Sequence, residues 1–381
     1  MNIKEIDDIL IKNKIKNLDD ILRHEIIYFG NRNYTKIKSK FCSYIKNLDI
    51  FFKNIDEKNT IIFQELSGFC SSLSIFNLAR KYSINNFFIE PSFFQGRFHL
   101  TKNTFMCDPI SNKNSVKNFE SIFDNIKMKK KIVIPKKDIS HFKSPTSKIF
   151  NSKNIMRFIN KFIRIYIFKQ SYEFDEVIKY SILHLKNFLN YVFLLPIYER
   201  SIPKKNFLYF PLHVPNDFAI TIRSPKYIDQ LKLIKKILKE LLPDQYLFIK
   251  EHPARVGSIN FSEMYKLLKN KKIKILKPSI NSYDIIEKSR SIITINSKTG
   301  FEALIYNKPL YVFGESYYKN QNFINYLDES FILDNHNLYP KTEDTKNFFL
   351  DLYKKTFKGD IYDCNNENIK IFAASIMQYD K

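Results

Sequence analysis

The chain has 381 residues, enough for two domains of ordinary size, and its 44% hydrophobic and 15% aromatic content exclude a disordered polypeptide. Lys and Arg number 62 against 39 Asp and Glu, a net charge of +23 that favours polyanions: nucleic acid, phosphorylated substrates or an anionic membrane. The charge is mostly lysine spread along the whole chain, without an RNP-type motif, zinc-finger spacing or basic heptads, so no nucleic-acid partner is expected.

Residues 1–58 read as helical, with Ile6, Ile9, Leu10 and Ile15 on one face and a break near Gly30. The N-terminus is charged and amphipathic and lacks the apolar core of a signal peptide, and no run of about 18 apolar residues follows. The expected location is cytoplasmic, with peripheral association at an anionic inner membrane. Cys42, Cys70, Cys107 and Cys364 are far apart, form no CxxC and have no His at ligand spacing. That pattern predicts free thiols in a reducing compartment and no metal.

A buried strand begins at Asn59-Thr60-Ile61-Ile62-Phe63, and a helix is expected from about Ser71 to Tyr82. A second strand from Asn86 to Ile89 ends in Glu90-Pro91, with a loop running on to Arg97. This strand–helix–strand unit puts Gly68 and Glu90 on one rim of a parallel sheet. Residues 110–150 are polar and basic and read as a loop or insertion. Two helical stretches rich in Phe, Ile and Tyr follow over 154–195, and Arg200–Asn206 has the composition of a linker.

The second half is more regular. Strands are predicted at 207–212, 246–249, 273–276, 292–295 and 310–313, with helices between them and two more helical segments after Glu343. The alternation predicts a doubly wound parallel sheet. The expected units are 1–200, 207–345, and 346–381 crossing back to the first.

Three polar clusters end these strands: His213, Lys250-Glu251-His252-Pro253, and Asn296-Ser297-Lys298-Thr299-Gly300. Strand ends of a doubly wound sheet form one ligand-binding rim. Pro253 fixes an abrupt turn that holds the His252 imidazole there, where it can donate to a phosphate oxygen. Ser297 and Thr299 open a helix; they either cap it or hold an anion at the positive end of its dipole. Glu302, one turn on, either accepts from ribose hydroxyls or complements the dipole. Glu90 is the candidate general base across the cleft, and Arg97 and His99 are candidate acceptor-side residues. GxGxxG after the first strand, GxxxxGK[ST], GxSxG and DxD are all absent, which removes dehydrogenase, P-loop, hydrolase and metal-dependent sugar-nucleotide readings.

The run NSKTGFEALIYNKPLYVFGESYY resembles the signature of bacterial capsule polysaccharide biosynthesis proteins, through Asn296, Ser297, Gly300, Glu302, Ala303, Leu304, Lys308, Pro309 and Gly314. YFPLHVPND at 209–217, KEHP at 250–253 and FFIEPSFFQGR at 87–97 resemble further segments of that family, in the expected order. The resemblance implies a GT-B-like α/β fold, with two Rossmann-type doubly wound domains facing a cleft. It implies a metal-independent glycosyltransferase without a cofactor, using a CMP-activated acidic sugar, chiefly Kdo, with distant likeness to bacterial sialyltransferases. On that likeness Glu90 deprotonates the acceptor hydroxyl, His252 binds the CMP phosphate, Ser297 and Thr299 hold the phosphate, and Glu302 the nucleotide sugar. The chain departs from the family at Glu90-Pro91-Ser92, where two acids and a Gly are usual. A glycan or lipid-linked glycan is the implied acceptor, with the basic segment Lys127–Lys148 as a candidate contact with membrane or acceptor. The alternatives are a UDP- or GDP-sugar or alcohol-phosphate donor on the same fold, or a non-catalytic polysaccharide-binding or export-assembly protein.

Overall fold

The computed structural model describes residues 3–28, 30, 33–112, 119–129, 145–170, 172, 174–328, 330, 331, 333 and 338–377. Helices at Ile3–Lys12, Leu18–Tyr28 and Tyr34–Phe52 pack through Leu22, Ile37, Phe41 and Ile45 onto the helix Cys70–Lys81, forming the first apolar core. Strands β1 (Ile61–Glu65) and β2 (Asn85–Pro91) flank that last helix and pair in parallel, as their apolar runs predict.

The sequence read Glu90 to Arg97 as loop and stopped there. The chain instead reverses at Gly96, whose φ of +67° suits glycine, and returns as β3 (Arg97–Lys102). β3 pairs antiparallel to β2, with Glu90 opposite His99. The first sheet is therefore mixed, with a single parallel pair.

The second sheet contains β4 (Phe207–Pro211), β5 (Tyr246–Lys250), β6 (Ile273–Leu276), β7 (Ser291–Thr294), β8 (Leu310–Val312) and β9 (Asn325–Tyr326). All its pairings are parallel, in the order β6-β5-β4-β7-β8-β9. Counted along the chain that is 3-2-1-4-5-6, the doubly wound order. Because parallel strands are covered on both faces, β4 has no exposed residue. One face carries Phe210, Leu247, Ile249 and Ile293, the other Phe207, Phe248, Ile292 and Leu304.

The helix Thr342–Lys354 lies on the second face through Phe348, Phe349 and Leu352. The chain then reaches back as β10 (Phe357–Lys358), pairing antiparallel with β3, and the helix Asn366–Met377 places Phe372 against Phe98. Within 110–150, residues 119–129 and 145–149 are helical rather than loop. Most of the basic segment 127–148 lies outside the described residues. The two Phe- and Ile-rich stretches are the helix Ser152–Phe162, continued by a π-helical turn over Ile163–Ile167, and the helix Val177–Leu194.

Candidate functional site

In the second sheet the strand order reverses between β4 and β7, so the connections leaving these strands diverge and open a crevice at their carboxyl ends. β4 runs on to His213 and β7 to Asn296 and Ser297. Gln230 clasps the His213 backbone: His213 N–H donates to its Oε1 at 2.8 Å, and its Nε2 donates to His213 O at 3.2 Å. The His213 ring then faces β7, where its Nε2 accepts from Asn296 N–H at 3.5 Å. Burial, with His252 close by, pushes His213 down to about 3, so the ring is neutral at ordinary pH. The Asn296 amide donates to Ala219 O at 2.8 Å and to Ser224 Oγ at 3.0 Å. Its buried Oδ1 has no partner among the described residues.

Ser297 caps the helix Lys298–Ile305: its Oγ accepts from Thr299 N–H at 3.2 Å and from the Thr294 hydroxyl at 3.0 Å. Ser297 O accepts from the Tyr318 hydroxyl at 2.8 Å, and that hydroxyl explains Gly300, where a Cβ would lie 2.6 Å from it. Ser297 is thus engaged as a cap, and the helix start follows directly on the crevice strand.

Strand alternation separates the members of the Lys250–Pro253 cluster. Lys250 Nζ donates to Ile280 O at 2.8 Å and to Ser282 Oγ at 2.7 Å, on the side where Glu302 is buried in the helix after β7. Burial pushes Glu302 up to about 7 against the pull of Lys298 and Lys250, and pushes Lys250 down to about 8. Glu251 points the other way. It accepts from the Tyr198 hydroxyl and, at 3.0 Å, from Gly257 N–H, and burial pushes it up to about 7. Its carboxylate ties down its own loop, a structural task the sequence reading did not assign to it. His252 Nδ1 accepts from Ala254 N–H at 3.2 Å. A neutral ring with Nδ1 so engaged carries its proton on Nε2.

The first domain meets this rim directly. Phe93 stacks on Phe301 with ring centroids 4.2 Å apart, and Phe94 meets the same ring edge-on at 5.8 Å. Glu90, at the end of β2, binds the Arg223 guanidinium: Nη2 donates to Oε2 at 2.9 Å and Nη1 to Oε1 at 3.5 Å. Arg223 Nε also donates to Phe105 O at 2.6 Å. Ser224, the next residue, is the one that receives Asn296. A continuous chain of contacts therefore runs from Glu90 through Arg223 and Ser224 to the crevice. The sequence reading missed Arg223 and Ser224, in the irregular stretch after β4, and Gln230, the first residue of the helix Gln230–Glu240. The only signal there was a pair of polar residues before Pro225.

Arg97 and His99 are placed differently from the acceptor-side expectation. Arg97 donates to Thr356 O at 3.1 Å and lies 4.2 Å from the centre of the Tyr353 ring. His99 is fully buried, bonds Lys355 O through Nδ1 at 2.9 Å and stacks on Tyr317 at 4.7 Å. Both hold the returning segment against β3, through Thr356 and Lys355 just before β10. Among the described residues no three His, Cys, Asp or Glu side chains gather as a metal site.

Residues 154–324 match the family described as capsule polysaccharide biosynthesis protein. Protein FixF of Sinorhizobium fredii (strain NBRC 101917 / NGR234) is 30% identical over 120 residues, which span 31% of this chain and 29% of FixF. The solved β-Kdo 2,7 transferase of Thermosulfurimonas dismutans KpsC is 16% identical with a TM-score of 0.41, over 97% of this chain and 98% of that one. The UDP-GlcNAc 2-epimerase of Methanocaldococcus jannaschii is 15% identical with a TM-score of 0.24, over 99% and 95%. The matched stretch contains His213, the His252 loop, Arg223 and the helix that Ser297 opens. The likeness to the capsule polysaccharide biosynthesis protein family thus extends over residues 154–324, a little under half of the chain.

Proposed function

We propose that the chain is a cytoplasmic, metal-independent glycosyltransferase of capsule polysaccharide biosynthesis, taking a Kdo-like acidic sugar from a CMP donor to a glycan or lipid-linked glycan. The observation that carries this reading is the crevice between β4 and β7. It gathers His213, Asn296, the helix start at Ser297 and the nearby His252, and Arg223 and Ser224 link it to the first domain's Glu90.

The donor's phosphate lies at the helix start, where the dipole favours an anion, and His252 Nε2–H donates to it as CMP departs. Neutral His213 positions Asn296, whose open Oδ1 accepts a donor N–H or hydroxyl. Lys250 adds positive charge beneath the rim. Glu90 takes the proton of the acceptor hydroxyl through Oε1, its more weakly engaged oxygen, while Arg223 holds the carboxylate in place. The stacked Phe93 and Phe301 keep water from the closing seam. Such stabilisation acts mainly on the oxocarbenium-like transition state, so it raises turnover rather than only donor affinity.

Thermal unfolding with CMP, UDP and GDP tests the donor: a CMP site raises the midpoint with CMP alone. His252→Ala should abolish that rise. Glu90→Gln should keep it while lowering CMP release by a factor of about 10² to 10⁴, the span of general-base catalysis. A rise with UDP or GDP would reassign the donor. CMP release unchanged in both variants would overturn the site assignment, and no CMP release from the parent would leave a binding protein.

A further inference from the structure

The strongest unassigned feature is the helical pair 152–167 and 177–194. Every residue from 152 to 160 is exposed, and neither the helix Ser152–Phe162 nor the π-turn after it has a buried residue. Its residues are nevertheless sharply sorted. At 100° per residue Lys153, Arg157, Lys161 and Arg164 fall on one face, and Ile155, Met156, Phe158 and Ile159 on the other. No acidic residue occurs between 152 and 170. The second helix repeats the pattern: Ile178, Ile182, Leu185, Leu189, Val192 and Phe193 form one exposed stripe, with Ile182 59% and Phe193 55% accessible. Lys179 and Lys186 flank the stripe.

The opposite side of the second helix is fixed to the protein. Asn190 Nδ2 donates to Gly257 O at 3.1 Å and its Oδ1 accepts from Phe261 N–H at 3.1 Å. Gly257 has a φ of +77°, and a Cβ there would sit 2.0 Å from Asn187 O. The helix therefore lies on the loop that carries His252.

We propose that this pair is an in-plane docking surface for an anionic phospholipid bilayer. Apolar stripes bordered by Lys and Arg, on helices too polar to span, are the pattern of interfacial helices: the stripe enters the acyl boundary while the cations reach lipid phosphates. No helix among the described residues is long and apolar enough to cross a membrane. A second copy of the chain is a poorer occupant, since two faces bordered by Lys and Arg repel. The anchored helix is about 10 Å thick, so the His252 loop would ride roughly that far above the lipid. A lipid-linked acceptor would then meet the site without leaving the membrane.

Vesicle flotation tests this with the full chain, using phosphatidylcholine alone and phosphatidylcholine with 30% phosphatidylglycerol. Binding is expected only to the anionic vesicles. It should fall about fivefold for each cation neutralised, hence roughly 25-fold in Arg157→Gln/Lys161→Gln, and should weaken steeply in 0.5 M salt. Ile182→Glu/Leu189→Glu, on an exposed face, should abolish it while leaving the CMP-induced thermal shift intact. Three outcomes would overturn the proposal: no binding to anionic vesicles, equal binding to neutral ones, or a dimer in sedimentation that Ile182→Glu dissolves without any vesicle binding.

Discussion

Removing Glu90 should cost the protein both stability and turnover, and the two losses can be separated. The carboxylate and the Arg223 guanidinium are only 12% and 7% exposed, so neither is well served by water when its partner is lost. Glu90→Ala leaves the guanidinium with a hydrogen bond to Phe105 O and the weaker attraction of Glu315, and a poorly compensated buried charge costs about 3–5 kcal/mol. Arg223→Met should cost a similar amount by stranding the carboxylate. The double variant Glu90→Ala/Arg223→Met removes both charges and should recover about 2–3 kcal/mol relative to the sum of the single changes. Urea unfolding measures this cycle, and CMP release measures turnover on the same samples. Stability should return in the double variant while activity stays lost, because the ion pair and the proposed general base are different uses of one carboxylate. Single losses below about 1 kcal/mol, or additive losses, would show that the pair does not clamp the domains. Activity regained in the double variant would remove Glu90 from the chemistry.

Two further outcomes follow from the same geometry. Gly257→Ala combines left-handed backbone with a Cβ against the Asn187 carbonyl, and should cost about 2–5 kcal/mol. Hydrogen exchange should then rise in helix 177–194 before other elements; unchanged protection would show that the loop does not hold the helix. Glu302→Gln should stabilise the protein in a pH-dependent way. The folded value of about 7 lies above the ordinary 4.5, so stability is full below pH 4.5 and is lost as pH rises toward 7. The variant should gain about 3 kcal/mol over the parent at pH 8 and much less at pH 5, by urea unfolding. A gain independent of pH would mean that ionised Glu302 is not resisted by its surroundings.

The second sheet was legible because parallel strands buried on both faces leave nearly continuous apolar runs, as in Phe207–Pro211 and Ser291–Thr294. β9 and β10 were not, since two residues carry no period, and β3 (RFHLTK) alternates too weakly to stand out from a loop. Of the site, sequence reasoning could find His213, His252 and Asn296 because they end strong strands. It could not find Arg223, whose role comes from a partner 133 positions away. It grouped Glu251 with Lys250, although alternation along the strand already implies opposite directions for neighbours. Arg97 and His99 were read by chemistry alone, and their partners, Thr356 and Lys355, lie more than 250 positions away.

The pairing of β3 with β10 has a mechanical meaning. The helix Phe119–Lys129 and the end of the helix Val177–Leu194 already pack on the second sheet through Phe123 and Leu194, and after the helix Thr342–Lys354 the polypeptide comes back to the first sheet as β10. The first sheet is thus completed by residues that follow the whole second sheet in the chain. Any movement that parts Phe93 from Phe301 must either carry β10 with the first sheet or break its pairing with β3. Arg97 and His99, bonded to Thr356 and Lys355 just before β10, resist that break.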